Sequence, residues 1–261
     1  MSILEGEKQF HLKIKPGDVG GYVLLPGDPG RVAAIAAHLE DAHMVAQNRE
    51  YTTYTGYLCG EKVSVTSTGI GGPSIAIAVE ELVKCGGHTF IRVGTSGGIR
   101  EDVLGGDLII ATGAVRGDGT SYEYIPPDYP AVSDFAVTNA LEQSGTALLE
   151  GTQNQCHVGV VQSKDSFYGE TNPETMPVSR HLEERWEAYV RCGCLTSEME
   201  CAALFAVGAA RAVRTGGVLL ALWNAERERK GMENPNFTDT SRVIECAVGA
   251  VKILIQADRM K

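Results

Sequence analysis

Short runs of apolar, β-favouring residues recur along the chain, and most end in a glycine-bearing turn followed by a segment of helical composition. Residues 21–25 (Gly-Tyr-Val-Leu-Leu) read as a buried strand that stops at Pro26-Gly27-Asp28-Pro29-Gly30-Arg31, and the Ala-rich run 32–39 reads as the helix that follows. Residues 51–59 and 62–67, split by Gly60-Glu61, predict a hairpin. Pro73 suits the first turn of a helix, and the run 75–85 is apolar on nearly every side except at Glu80, Glu81 and Lys84, so this helix should pack against a sheet. Further strands are expected at 90–93, 108–112, 158–162 and 217–223, with helices at 133–143, around 183–186, at 201–210 and at 240–257. The stretch 116–130, with three prolines and three tyrosines and no period, reads as a long surface loop.

Strand, glycine turn and helix in alternation predict one α/β domain over residues 1–261, with a mixed, mostly parallel central sheet covered by helices on both faces. At 261 residues the chain is long enough to bury a large core. The net charge of −10 argues against nucleic acid or an anionic membrane as a partner, because such partners need a basic face. Seven scattered cysteines without a C-x-x-C pair resemble the buried thiols of a reduced compartment, which points to the cytoplasm. Residues 1–15 carry Glu5, Glu7 and Lys8 and lack the apolar core of a secretory signal, and no run is apolar for the length of a membrane span.

The densest candidate chemistry lies in Phe90-Ile91-Arg92-Val93-Gly94-Thr95-Ser96-Gly97-Gly98-Ile99, read as a buried strand running into a loop of small residues that a ligand can approach closely. A guanidinium in such a strand needs an anionic partner, either a carboxylate of the chain or an anion that arrives from outside. In sheets of this type ligands bind beyond the carboxyl ends of strands, and Gly27, Arg31, Thr95 and Asn224 all fall at such ends. Two arginines at strand ends point to a small anion such as phosphate. Ser163 to Pro173, with Phe167 and Tyr168, reads as a recognition loop or as a core anchor, and Glu198 and Glu200 read as capping residues for the helix that begins near Cys201.

Six segments, taken in order, resemble the nucleoside phosphorylase-I family, closest to its uridine phosphorylases: Phe10-His11-Leu12, Pro26 to Arg31, Arg49-Glu50-Tyr51-Thr52-Thr53, Ser67 to Ser74, Arg92 to Gly97, and Ser197-Glu198-Met199-Glu200. The resemblance covers nearly the whole chain. It implies a sheet partly closed into a barrel and reversible phosphorolysis of a nucleoside, uridine first, to base and α-pentose 1-phosphate. It implies no cofactor; inorganic phosphate is a co-substrate. Phosphate would be held by Gly27, Arg31, Arg92 and Thr95, with Arg49 from a neighbouring subunit; Arg31, Arg92, Thr95 and Glu200 would carry the catalysis. Glu200, Met199 and Thr95 would meet the ribose, and His11 of the adjacent subunit its 5′-hydroxyl. Ser96, Gly97, Phe167, Glu170 and Asn224 would surround the base. The resemblance further implies a hexamer built from dimers, residues 1–18 as an arm at a subunit interface, and a structural potassium held by residues matching Glu50, Ile70 and Ser74.

The sequence departs from that family at the base. Typical uridine phosphorylases carry a Gln and an Arg after the Phe-Tyr pair, whereas Glu170 stands nearest the Gln, no Arg follows before Arg180, and Ala225 stands where an Arg commonly follows Asn224, with Arg227 and Arg229 close enough to substitute. A carboxylate accepts hydrogen bonds and cannot donate them, so Glu170 alone suits N3–H of uracil and repels its carbonyls. Purine members place an Asp near Asn224 as an acid, which favours a pyrimidine here. The readings that stand beside uridine are deoxyuridine, thymidine or an oxopurine nucleoside as substrate, a nucleosidase that uses water, and a non-catalytic nucleoside binder of the same fold.

Overall fold

The computed structural model describes residues 7–261; residues 1–6 of the expected arm lie outside them. In chain order the elements are β1 (Tyr22–Pro26), α1 (Val32–Ala36), β2 (Glu40–Asn48), β3 (Tyr51–Leu58), β4 (Glu61–Thr66), α2 (Gly72–Lys84), β5 (Thr89–Gly98), β6 (Leu108–Gly117), α3 (Thr120–Tyr124), β7 (Ala131–Val132), α4 (Phe135–Leu149) and β8 (Cys156–Lys164). They continue with α5 (Phe167–Thr171), α6 (Ser179–Arg191), β9 (Thr196–Glu198), α7 (Cys201–Arg211), β10 (Arg214–Asn224), α8 (Ala225–Arg229) and α9 (Ser241–Arg259).

β5 organises the sheet. Along one edge it runs parallel to β10. Its other edge is shared: Thr89 to Val93 pair in parallel with β1, while Gly97 and Gly98 pair antiparallel with β9. From β10 the pairing continues to β6, β8 and β9 and so returns to β5, which closes a five-strand ring. From β1 it continues to β4, β3 and β2 as an open wing. The expected α/β sheet with partial barrel closure is therefore what the chain forms. Between the two pairings, among the described residues, no strand takes the edge of β5 at Gly94, Thr95 and Ser96. The sheet forks there.

Two apolar layers flank the sheet. On one side lie Ile75, Val79 and Leu82 of α2 with Leu204, Phe205 and Val207 of α7, joined by Leu12 and Ile14 of the arm. On the other lie Val137 and Leu141 of α4 with Val243, Val251 and Leu254 of α9. The alternation of β5 divides its residues between them, Phe90 facing the first layer and Ile91 and Val93 the second. Full burial of an aliphatic or aromatic side chain contributes about 2–3 kcal/mol, so these layers hold β5 in place from both faces.

Three expectations are corrected. The run Gly94–Gly98 is strand throughout, and its glycines answer a need for space rather than for unusual dihedrals: a Cβ on Gly94 would lie 2.7 Å from Leu219 and 3.0 Å from the Arg92 guanidinium, and one on Gly98 would lie 2.6 Å from the Asn224 amide. Most of β2 escaped the sequence reading because it is a solvated strand at the outer edge of the wing, without the apolar alternation that marks a half-buried one. The stretch 116–130 holds α3 and is organised by Arg116, whose guanidinium donates to the carbonyls of Ile125, Pro126, Pro127 and Tyr129.

Candidate active site

A cavity of about 940 Å³ opens at the fork of the sheet. Its wall brings together Gly27, Arg31, Arg92, Thr95, Ser96, Gly97, Phe167, Glu170, Met199 and Glu200, ten positions drawn from four separated segments of the sequence. Each arrives by a local cause. Gly27 and Arg31 follow the end of β1, where Asp28 caps the turn by accepting from Gly30 N at 2.8 Å. Arg92 and Thr95 belong to β5, and Met199 and Glu200 form the two-residue link from β9 into α7.

Arg92 has the first of the two kinds of partner that its sequence context left open, carboxylates of the chain. Its Nε donates to Glu198 at 3.0 Å and its Nη2 forms an ion pair with Glu200, both carboxylates being within 4% of full burial. Its Nη1 is buried and has no hydrogen-bond partner in the chain. A Cβ placed on Gly27 would sit 3.8 Å from that nitrogen, so the glycine turn and the free donor face one another. An unpartnered buried guanidinium nitrogen costs free energy unless an acceptor meets it.

Electrostatics point the same way. Burial and the positive charge of Arg92 both hold the Arg31 pKa below its ordinary value, so the two guanidiniums crowd each other at one end of the cavity. Burial also opposes the Arg92 charge, but Glu200 and Glu198 outweigh it and raise its pKa. Glu200 lies above the ordinary carboxylate value because burial, helped by neighbouring Glu198, exceeds the pull of Arg92. Since an arginine keeps its proton in a protein, Glu200 is the member of the trio with room to be neutral. An anion received between Arg31 and Arg92 would relieve their repulsion and satisfy Nη1 together.

The two glutamates expected as caps divide. Glu198 does cap α7, accepting from Glu200 N at 2.8 Å and Cys201 N at 3.0 and 3.1 Å. Glu200 instead accepts from Gly71 N at 2.6 Å and stands on the cavity wall.

At the far end Phe167, 45% exposed, opens the short helix α5, and the Trp223 ring lies 3.3 Å from where a Cβ on Gly97 would be. Glu170, expected alone near the base, is paired: Lys164 Nζ donates to its Oε1 at 2.8 Å and also to Ser197 Oγ. Arg229 of α8 reaches over the Trp186 ring at 4.2 Å and donates to the Glu170 carbonyl at 3.1 Å. Trp223, Lys164 and Arg229 all line the cavity; Arg229 is one of the two arginines expected near the base, whereas Trp223 and Lys164 were not picked out from the sequence. Trp223 could have been found from its place beside Asn224 at a strand end; Lys164 carries no local signal beyond its charge.

The profile of the phosphorylase superfamily matches residues 22–254. The chain belongs to that superfamily. Among superfamily relatives it is 53% identical over 250 residues to a uridine phosphorylase of Treponema pallidum, covering 96% of this chain and 95% of that one. It is 40% identical over 255 residues to a uridine phosphorylase of Escherichia coli, covering 96% of each, and 39% identical over 211 residues to a guanosine phosphorylase of Halorubrum lacusprofundi, covering 81% of each.

Three expected superfamily site residues stand away from the wall of the cavity. Asn224, expected at the base, ties loops together: its Nδ2 donates to the carbonyls of Arg100 and Val103 at 2.8 and 2.9 Å, which occupies both amide hydrogens, and its Oδ1 accepts from Arg227 N at 2.9 Å. His11 is held by Glu81, which accepts from its Nδ1 at 2.8 Å and from the backbone nitrogens of His11 and Leu12, so its Nε2 is the ring atom left to meet a partner. Arg49 is exposed at the β2–β3 turn with φ 55°. Of the trio expected to bind potassium, Ser74 Oγ donates to Glu50 Oε1 at 3.0 Å, while Ile70 is 75% exposed beside them. Among the described residues no helix is long and apolar enough to cross a membrane.

Proposed function

We propose that the chain catalyses the reversible, phosphate-dependent cleavage of uridine to uracil and α-ribose 1-phosphate. The observation that carries the reading is the buried, unpartnered Nη1 of Arg92 facing Gly27 beside the crowded Arg31. Identity of 53% over most of the chain to a uridine phosphorylase supports it. Phosphate held by Gly27, Arg31, Arg92 and Thr95 is a nucleophile already oriented, and such orientation replaces the search through many poses in water. A phosphate oxygen bonds to the anomeric carbon as the glycosidic bond breaks, and the electron pair of that bond departs with the base. Glu200, beside the sugar with Met199, stabilises the oxocarbenium character that develops between the two. No cofactor is required by this sequence of events.

On the same reading residues 1–261 form one domain, with residues 1–18 as an arm that serves a neighbouring subunit. His11 and Arg49 complete the site of an adjacent copy, and the assembly is a hexamer of dimers. Both side chains lie off the wall of their own cavity, which supports that arrangement. Glu50, Ser74 and Ile70 would offer oxygen ligands to a potassium ion between subunits, and its chemistry there would be structural. The protein is assigned to the cytoplasm on its cysteine usage.

Incubating the protein with uridine in the presence and absence of phosphate tests the reaction, with deoxyuridine, thymidine and guanosine as the specificity panel. Uracil and ribose 1-phosphate should appear in equal amounts only when phosphate is present. Equal base release in both conditions would establish a nucleosidase; calorimetric binding of nucleoside without turnover would establish a binder.

A further inference from the structure

A second cavity, of about 170 Å³, shares Lys164, Glu170 and Arg229 with the wall of the main one and is otherwise lined by different residues. We propose that it is a separate binding site for a small organic monocarboxylate with a flat apolar body, held by Arg185, Tyr189 and Gln162. This site stands apart from the reaction proposed above and does not depend on it.

The sequence of α6 supplies one side of the chamber. Leu182, Arg185, Trp186 and Tyr189 recur at spacings of three and four, so they share one face of that helix, and all four line the cavity. Among the described residues Arg185 forms no ion pair with a carboxylate: its Nε and Nη2 both donate to Tyr189 Oη, at 2.9 and 2.7 Å, and its Nη1 has no partner. A neutral hydroxyl occupies two of its donors without neutralising its charge, and Tyr189 Oη, accepting from both, keeps its own proton to donate. From β8 comes Gln162, which is 3% exposed. Its Oε1 accepts from Ser197 Oγ at 2.6 Å, whereas its Nε2 has only the Ser163 carbonyl at 3.5 Å. A Cβ on Gly117 would lie 3.1 Å from Arg185 Nη2 and 3.4 Å from Gln162 Nε2, so the guanidinium and the amide converge on one spot. A buried amide donor so poorly met costs free energy until an acceptor reaches it.

Charge selects an anion. Lys164 and Glu170 face the chamber as a pair at 2.8 Å, and the exposed Asp165 accepts from Gly119 N at 2.8 Å. Arg229 lies over the Trp186 ring at 4.2 Å and adds a second guanidinium, so the lining carries three cations against two carboxylates. Much of the remaining surface is apolar, from Pro173, Leu182 and the rings of Trp186 and Tyr189. Trp186 Nε1 is already engaged by Glu226 at 2.9 Å, which leaves its ring to offer the chamber surface alone. Size then narrows the class. A cavity of about 150 Å³ holds a benzene ring, so this one admits a ring bearing one carboxylate and excludes a whole nucleoside. The carboxylate accepts from Arg185 Nη1, Tyr189 Oη and Gln162 Nε2, and the ring lies among Leu182, Pro173 and Trp186, surface that a bare inorganic anion would leave unused.

Titration calorimetry with sodium benzoate tests the site, run in saturating phosphate and uracil so that the main cavity is filled without turnover. Benzoate should bind saturably, one per chain. Benzyl alcohol, which lacks the charge, and sulfate, which lacks the ring, should each bind about tenfold more weakly, the loss expected on removing one hydrogen bond to a charged group or a comparable apolar contact. Arg185→Met should weaken benzoate by about the same factor, and Arg185→Lys by less. Leu182→Trp, which fills the chamber and leaves every donor in place, should abolish binding and serves as an independent check should Arg185→Met fail to fold. Displacement of benzoate by phosphate and uracil, sulfate binding as tightly as benzoate, or unaltered benzoate affinity in a folded Arg185→Met or Leu182→Trp protein would overturn the assignment.

Discussion

Replacing Arg92 by alanine should cost the protein both activity and stability, and the stability loss should depend on pH in a defined direction. The guanidinium is the shared cation of two buried carboxylates, Glu198 through Nε at 3.0 Å and Glu200 through Nη2. Removing one side of a buried pair leaves uncompensated charge and costs about 3–5 kcal/mol, which for a chain of this size lowers Tm by about 10 °C. The typical reserve of 5–15 kcal/mol keeps the variant folded at room temperature. Glu200 already lies above the ordinary carboxylate value, and Arg92 is the group pulling it down, so its pKa should rise further once Arg92 is gone. A carboxyl whose folded pKa exceeds its unfolded one gains protons on folding, so its penalty grows as pH rises through the folded value and fades below it. The gap in Tm between the unsubstituted protein and Arg92→Ala should therefore be widest near pH 8 and shrink toward pH 5. Scanning calorimetry across that range, with phosphorolysis assayed at 25 °C, reads both effects. Arg92→Lys should recover part of the Tm and little of the activity, since an ammonium supplies charge without the fork that reaches three partners. An Arg92→Ala variant with unchanged Tm, or with a gap that widens as pH falls, would refute this account of the trio.

Three further outcomes are expected. Asn224→Asp should lower Tm by several degrees, because an acceptor would then face the carbonyls of Arg100 and Val103; an unchanged melting curve with altered base preference would return the residue to the base site. Asp107→Ala should destabilise by about 2–4 kcal/mol, since it strands donors from His157, Asn154, Leu104 and Gln155. Burial opposes the Asp107 charge, but those hydrogen bonds outweigh it and depress its pKa, so denaturant midpoints of the two proteins should converge as pH falls below the ordinary carboxylate value of about 3.9. Gly97→Ala would set a methyl 3.3 Å from the Trp223 ring and should raise the KM for nucleoside several-fold while leaving that for phosphate unchanged, as steady-state kinetics with each substrate varied would show.

The buried elements were legible because apolar runs and glycine or proline boundaries report burial directly. β1, β5, β10, α2, α7 and α9 lie where the patterning places them, with ends extended by a few residues. What escaped did so for identifiable reasons. β2 has no buried face to write an alternation into its sequence. Glycine at 94–98 signals both loop and crowding, and only the positions of Leu219, Trp223 and Asn224 on the neighbouring strand decide between them. At the candidate site the end holding Arg31 and Arg92 was readable, since an arginine in an apolar strand has few uses. The base end was not, because the meaning of Glu170 depends on Lys164 six residues earlier, across the turn from β8 into α5. The loop-tying bonds of Asn224 were not legible, because a polar residue at a strand end looks the same whether it faces a ligand or ties loops together.

The fork in the sheet bears on how this scaffold could be re-engineered. Thr95 sits where β1 has already left the edge of β5 and β9 has not yet joined it. Strands that close a ring cannot slip by one residue without every neighbour slipping too, so insertions or register changes anywhere in β5, β10, β6, β8 or β9 would scramble the end of the cavity that holds Arg92 and Thr95. α5 and α8 pair with none of those strands. New base preferences are best sought by rebuilding these two short helices, with the ring left untouched as a fixed chassis.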